Sequence, residues 1–315
     1  ILKGTKVLIR LDLDVPIQNG KPSETYRLQA GLKSLKYIID KGAMPIIIGH
    51  MGKPKGIVVP ELSTTQLIDF YNKHLGKDNF ILKENLRFNS GEQDNSDDFA
   101  KELAKEADIF VNDSFATCHR EHASIVGIPK YLNSYAGFNL QQEIEELKKV
   151  KHDFNRPFVV IIGGAKLESK MPVINAFLKV ADSVLLGSKI GPQWIEQQKD
   201  IPSNLILPKD YAQDKKDIGP LTIKNYTNII SLSKTVLWAG PMGFYEDPNY
   251  LEGTKKIAQA ITDNPDIWSV IGGGDTITAV NMCNLQNDFG FVSTGGSAML
   301  IFLVQDTLPG IEVLK

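Results

Sequence analysis

The sequence predicts an α/β fold built from parallel sheets in two three-layer domains. Three observations carry that prediction. Short apolar runs such as Phe158-Val-Val-Ile-Ile162 are mostly β-branched and do not alternate with polar residues, as strands buried on both faces must be. Each run is followed by a loop and then by a helical pattern, and this strand–loop–helix unit recurs along the chain. The 315 residues exceed one typical α/β domain, and the helical pattern breaks at residues 153–157.

Composition narrows the function classes. Hydrophobic residues make up 42% and charged residues 23%, as in an ordinary globular chain. A net charge of −2 provides no global basic field for nucleic acid or anionic lipid. No apolar run approaches the ~20 residues of a membrane span, and no signal peptide is read. Two cysteines, Cys118 and Cys283, form no disulfide framework, so a reducing cytoplasm is expected. The chain opens on Ile1 rather than Met, so a preceding segment is expected.

The stretch Gly163-Gly-Ala-Lys-Leu-Glu-Ser-Lys170 follows the buried run 158–162. The glycines break the strand, and Pro172 places a helix start near residues 169–171. Lysines at a helix amino end oppose its dipole unless they share an anion with it, most simply a phosphate. A strand–turn–helix joint with solvated lysines is the competing reading. No GxxxxGK[ST] loop is present.

In chain order, the run 7–11 is read as a strand leading to Asp12 and Asp14, at the strand edge where ligands bind in open α/β sheets. Two turn-forming aspartates would look the same. Arg27 precedes a helix over 28–40, striped by Leu28, Leu32, Leu35, Ile38 and Ile39. A strand over 45–49 runs into His50-Met-Gly-Lys53-Pro-Lys-Gly56, either an anion site or a solvated basic turn. A helix over 63–74 and a strand over 80–82 bring Arg87, and a helix over 97–107 and a strand over 109–112 bring Arg120. Cys118, His119 and His122 do not match zinc-site spacing. Parallel βαβ units place these loops on one edge, so Arg27, His50, Lys53, Arg87 and Arg120 are expected to converge as a bowl of cations. Without interleaved aromatics, the bowl suits a small multi-anion better than nucleic acid.

Four stretches, Arg10-Leu-Asp-Leu-Asp-Val-Pro16, His50 to Gly56, Glu84-Asn-Leu-Arg-Phe88 and Asn112-Asp-Ser-Phe-Ala-Thr-Cys-His-Arg-Glu-His-Ala-Ser124, resemble the amino-domain motifs of phosphoglycerate kinase, in that family's order. Ala136-Gly-Phe-Asn-Leu-Gln-Gln-Glu143 is similar to its interdomain helix, here a stripe of Leu140, Ile144, Leu147 and Val150.

The second half adds a helix over 170–180, strands over 183–186, 205–208, 235–238 and 268–271, and a short helix over 194–199. Three glycine-bearing turns bare backbone N–H groups to an anion, at Gly163, at Gly272 and before Ser297. Asp275 is a candidate Mg²⁺ ligand and equally a helix N-cap. No G-x-G-x-x-G dinucleotide signal is present. Gly163-Gly-Ala-Lys166, Trp238-Ala-Gly-Pro-Met-Gly243, Gly272-Gly-Gly-Asp-Thr276 and Ser293-Thr-Gly-Gly296 resemble the family's nucleotide-side motifs, and Leu308-Pro-Gly-Ile-Glu-Val-Leu314 its carboxyl-terminal tail.

The resemblance implies two Rossmann-like three-layer domains: 1–136 for the triose acid, an interdomain helix 137–151, 152–306 for the nucleotide, and a tail 307–315 returning to the first domain. It implies reversible phosphoryl transfer between ATP and 3-phosphoglycerate, giving ADP and 1,3-bisphosphoglycerate, by a cytoplasmic monomer using Mg²⁺. By the same resemblance, Asp12, Asp14, Arg27, His50, Lys53, Arg87 and Arg120 hold the triose. Gly164, Lys166, Lys170, Gly187, Gly243, Glu246, Gly272, Gly273, Gly274, Asp275 and Thr276 hold the nucleotide, and Asp275 the metal. Arg27, Lys166, Gly274 and Gly296 serve catalysis. Domain closure is expected, with a hinge near Gly137 or residues 153–157.

The chain departs from the family pattern at Asp14 (usually Asn), Lys53 (Arg), Ala239 (Asn) and Ser297 (Gly). After Gly187 the family's further glycines and base-flanking helix give way to Ser188-Lys-Ile-Gly-Pro192, so a piece of the second domain is missing and weaker nucleotide affinity is expected. An anion-binding homologue with impaired catalysis, or a kinase for another small phosphorylated acid, would share these motifs.

Overall fold

The computed structural model of the chain describes residues 3–198 and 200–314. The chain divides into two compact units, Ile1–Glu145 with Thr307–Lys315, and Glu146–Asp306.

The first unit is built on β1 (Lys6–Arg10). A small antiparallel hairpin follows, β2 (Ile17–Gln18) and β3 (Lys21–Pro22). Next come β4 (Met44–Ile48), β5 (Ile81–Leu82), β6 (Ile109–Asn112) and β7 (Asn133–Ala136). The sheet runs β5-β4-β1-β6-β7, with every neighbouring pair parallel. Period-two geometry sends alternate residues of β1 to opposite faces. Val7 and Ile9 join Leu35, Ile47 and Tyr71 in one apolar layer, and Leu8 joins Ile46, Phe110 and Ile128 in the other. Both layers are closed, which is why the strands read as uninterrupted apolar runs.

The second unit contains β8 (Phe158–Ile162), β9 (Ser183–Leu186), β10 (Leu205–Ile206), β11 (Thr235–Ala239), β12 (Trp268–Gly272) and β13 (Phe291–Ser293). Their order, β10-β9-β8-β11-β12-β13, is parallel throughout. In chain order this is 3-2-1-4-5-6, the doubly wound Rossmann arrangement. Val159, Ile161, Val236, Trp238 and Ile271 pack with Tyr226, Ile230 and Ile257 on one face. Both sheets reverse direction beside their first strand, at β1/β6 and at β8/β11, and ligands bind in such folds at the carboxyl ends of those strands.

Several elements differ from their sequence expectation. The helix expected over 28–40 is two pieces, Tyr26–Ala30 and Leu32–Asp40. Gly31 lies between them, where a Cβ would sit 2.8 Å from Leu11. The helix expected over 63–74 opens with 3₁₀ turns and becomes α-helical only at Ile68–Leu75. The short helix expected over 194–199 is Ile190–Gln197. Strand β7 carries no apolar run: Ser134 is its one buried residue, as fits an edge strand. Helices Pro220–Ser231 and Glu252–Thr262 have no counterpart in the sequence reading. The division between the units falls within helix Phe138–His152 rather than after it.

The tail packs on the first unit. Gly310 N–H donates to the Cys118 carbonyl at 2.9 Å, and Asn112 Nδ2 donates to the Gly310 carbonyl at 3.2 Å. A Cβ on Gly310 would sit 2.6 Å from Ile125 and 3.0 Å from the Cys118 backbone. Gly310→Val should therefore lift the tail and lower stability by about 1–3 kcal/mol, read in urea or thermal unfolding of the whole chain.

Candidate functional sites

In the first unit, the carboxyl ends of β1, β4 and β6 carry Asp12, Asp14, His50, Lys53 and Arg120; Arg87 follows β5, and Arg27 lies within helix Tyr26–Ala30 rather than before a helix. Asp12 is buried and accepts hydrogen bonds from Ser114 Oγ and, at 3.2 Å, from the Ala116 N–H. Burial pushes its carboxyl pKa up, against the pull of Arg27, Ser114 and Arg10. The Asp14 carboxylate accepts from the Gly52 N–H at 2.8 Å and lies 3.8 Å from His50 Nε2. Its carbonyl accepts from Arg27 at 2.9 Å. Asp14 thus ties the loop after β1 to the loop after β4.

Arg87 is buried and donates to the Gly52 carbonyl at 2.7 Å, while its Nε has no protein partner. Burial, with Arg10 and Arg120 nearby, brings it down to about 10. Lys53 and Arg120 are exposed at the rim. His50 corrects the picture of a bowl of cations. Burial first, then Arg10, Arg87, His122 and Arg120, holds its pKa well below the ordinary value, so the ring is neutral.

Two buried residues here were missed. Asn85 donates to the carbonyls of Met51 and Leu62 and accepts from the Arg87 N–H, fixing the turn that presents Arg87. Arg10, fully buried in β1, donates to His50 Nδ1 at 2.8 Å. A charged residue closing an apolar strand was its one sequence signal.

In the second unit, the turns after β8 and β11 touch backbone to backbone. A Cβ on Gly163 would lie 2.0 Å from the Pro241 carbonyl oxygen, and one on Gly240 2.3 Å from Gly163. Gly164, Gly240 and Gly273 have φ of 97°, 94° and 102°, a region that strains residues with a Cβ. Thr276 Oγ1 accepts from the Gly240 N–H at 2.7 Å and donates to the Gly272 carbonyl at 2.9 Å, joining two of the turns.

Around these turns lies a cavity of about 350 Å³. Gly164, Lys166, Lys170, Gly272, Gly273, Gly274, Asp275, Thr276 and Gly296 all line it, as do Ala239 and Ser297. Helices Gly274–Met282 and Ser297–Gln305 begin at its wall and direct their free N–H groups there. Burial lowers the Lys170 pKa, partly offset by Asp275, as expected of an ammonium awaiting an anion. Asp275 accepts from Tyr245 Oη at 3.3 Å. Among the described residues no group of three or more acidic, histidine or cysteine side chains is arranged to hold a metal alone. One carboxylate beside a phosphate cradle nevertheless fits Mg²⁺, which takes few protein ligands with phosphate oxygens and water.

Gly187, Gly243 and Glu246 do not line this cavity. Gly187 is buried, its Cβ position 3.0 Å from Gly163 Cα, and that of Gly243 is 2.4 Å from Asp217 Oδ1. Glu246 is exposed. Gln193, missed in the sequence, donates to the Ala165 carbonyl and accepts from the Leu167 N–H, bracing the loop that carries Lys166.

The family model described as phosphoglycerate kinase matches residues 1–205 and 196–305. The phosphoglycerate kinase of Dictyoglomus turgidum is 35% identical over 381 residues, covering 100% of this chain and 96% of that protein. The structure of phosphoglycerate kinase from Coxiella burnetii superposes with a TM-score of 0.83 at 30% identity, covering 99% of this chain and 96% of the other. That from Pyrococcus horikoshii OT3 superposes with a TM-score of 0.86 at 26% identity, with the same coverages. The 381-residue alignment exceeds the 315-residue chain by 66 positions, and the two family matches meet at 196–205, near where the sequence shortens.

Two outcomes follow from this geometry. Gly163→Ala should disrupt the β8/β11 crossing and abolish phosphate-anion binding, measured by calorimetry with ADP alongside far-UV circular dichroism. His122 is pushed down to about 4 by burial and by Arg87, Arg120 and Arg10, which outweigh the Glu92 carboxylate 3.7 Å away. The unfolded chain therefore binds the extra proton below about 6.5, and stability is lost as pH falls from there toward 4. Asp113, raised to about 6 by burial, acts in the opposite direction over an overlapping range. The difference between wild type and His122→Gln isolates the histidine: wild type should lose roughly 3 kcal/mol relative to the variant between pH 6.5 and 4 in urea titrations.

Proposed function

The chain belongs to the phosphoglycerate kinase family, and from that premise we propose how its residues divide the reaction. The activity is ATP-dependent phosphoryl transfer to the carboxylate of 3-phosphoglycerate, giving ADP and 1,3-bisphosphoglycerate, a step of glycolysis. Such transfer needs positioning and charge neutralisation more than covalent chemistry. The observation that carries the assignment of roles is the cavity at the β8/β11 ends, where glycine-bearing turns, two lysines and one carboxylate surround a space large enough for nucleotide phosphates.

The nucleotide phosphates take the N–H groups of residues 272–276 and 296, with Lys170 as counter-charge. Lys166 neutralises charge on the moving phosphoryl group. Mg²⁺, bound with the nucleotide, supplies positive charge to the phosphate oxygens, and Asp275 is the protein ligand that would hold it. In the first unit, Arg27, Arg87, Arg120 and Lys53 supply charge to 3-phosphoglycerate, while Asp12 and neutral His50 supply oriented hydrogen-bonding groups. By the family resemblance, Gly187, Gly243 and Glu246 are assigned to the base and ribose of the nucleotide, although they do not line the cavity. The shortening after Gly187 removes family sequence beside the base, so affinity for the nucleotide rests on its phosphates.

We read the protein as a cytoplasmic monomer. Free Cys118 and Cys283 support a reducing compartment, and among the described residues no helix is long and apolar enough to cross a membrane. Lys166→Ala should lower kcat about 10²–10³-fold, about 3–4 kcal/mol of transition-state stabilisation, in a coupled assay with ATP, Mg²⁺ and 3-phosphoglycerate. Near-normal turnover in that variant would remove Lys166 from the reaction. Calorimetry should give a weaker ADP affinity than for the Dictyoglomus turgidum enzyme under the same conditions; equal affinities would show that the shortened segment does not contribute to nucleotide binding.

A further inference from the structure

We propose that Arg10 is a positioning residue for the anion site of the first unit: its guanidinium locks the His50 imidazole in the Nε2–H form, so that His50 meets the ligand as a directed hydrogen-bond donor and not as a cation. A guanidinium can only donate hydrogen bonds. An Arg10 terminal nitrogen lies 2.8 Å from His50 Nδ1, so Nδ1 must present its lone pair. A proton on Nδ1 would set two donors head to head in a buried site. The single proton of the neutral ring is then on Nε2, the nitrogen turned toward Asp14.

The guanidinium is itself held by a buried chain. Arg10 Nε donates to Ser124 Oγ at 3.0 Å, and another Arg10 N–H donates to the Leu11 carbonyl. Ser124 Oγ donates to Glu92 Oε1 at 2.7 Å, and the Ser124 N–H donates to Glu92 Oε2 at 3.0 Å. Glu92, Ser124 and Arg10 are each fully buried. The carboxylate charge reaches the arginine through the serine, and the fork has no freedom to turn away from His50.

The groups around His50 come from several elements. Arg10 approaches from β1, Asp14 from the loop after β1, Arg87 from the turn after β5, and Arg120 and His122 from the loop after β6. Positive charge is already abundant, so a protonated His50 would add repulsion. A neutral donor adds direction: Nε2 lies 3.8 Å from Asp14 Oδ2, beyond hydrogen-bond distance, so its N–H can donate to an acceptor oxygen of the ligand. The identity of that acceptor as 3-phosphoglycerate rests on the function proposed above; the tautomer does not.

The test is two-bond ¹H–¹⁵N correlation spectroscopy of the full chain labelled with ¹⁵N-histidine, recorded from pH 5 to 8. The protein has five histidines, and His50→Gln assigns the His50 signals by their loss. The expected wild-type spectrum is a neutral Nε2–H ring that does not titrate down to pH 5. In Arg10→Met, His50 should show mixed tautomers and a titration within the range. In the same variant, KM for 3-phosphoglycerate should rise about tenfold, with kcat changed much less. His50→Gln, which keeps a donor near the Nε2 position, should bind the triose acid better than His50→Ala. A wild-type His50 that titrates near 6.5 or carries its proton on Nδ1 overturns the proposal, and this reading needs no variant to fold. Unchanged His50 signals in a folded Arg10→Met also overturn it. The expected tautomer without any binding of 3-phosphoglycerate would uphold the role of Arg10 and overturn the ligand assignment alone.

Discussion

Backbone meets backbone where β8 and β11 end, and the second unit depends on that contact. Gly163 and Gly240 approach so closely that a methyl group on either would lie within 2.3 Å of the other turn. The approach exists because the strand order reverses between these two strands, opening a crevice at their carboxyl ends. Removing side chains there leaves N–H groups and helix starts as the chemical surface. A phosphate is the ligand that such a surface meets best, since it satisfies orphan donors and the helix dipoles together.

The first unit solves the problem of anion binding differently. Its strand ends carry side chains rather than bare backbone: Arg10, Asp12, His50 and Arg87 are buried, while Lys53 and Arg120 are exposed. Burial of Arg10, Arg87, Asp12 and Glu92 would be costly if any were left without partners. Ser114 and Ser124 donate to the carboxylates of Asp12 and Glu92, while Ser124 Oγ and the Gly52 carbonyl accept from Arg10 and Arg87; these bonds offset part of that cost and remove freedom of movement. The result is a bowl in which charge comes from arginines and direction comes from groups whose protonation is set by their neighbours. Asp14 belongs to this design: its carboxylate is engaged with the Gly52 N–H, so it serves as a loop tie.

The two crevices differ in how readable they were. Glycines stand at successive strand–helix joints, with Lys166 and Lys170 after β8 and Asp275 after β12, so the candidate phosphate cradle was legible from local pattern. Gln193 was not, because its partners Ala165 and Leu167 lie more than twenty residues away and nothing in its own helix marks it. Gly187 and Gly243 read as ligand-binding glycines, and their missing Cβ atoms also make room for Gly163 and Asp217. A glycine needed for close packing and one needed for a ligand have the same one-letter signature.

By itself the sequence determined the parallel α/β architecture, because strands buried on both faces must be apolar throughout and helices must carry a stripe. It also pointed to anion binding at both candidate sites, since motif residues cluster at strand ends. Tertiary structure alone decided which of those residues share a cavity and which serve packing. It also decided the state of His50: a pKa and a tautomer are properties of surroundings assembled from β1, β4, the turn after β5 and the loop after β6. No window of sequence contains those distances.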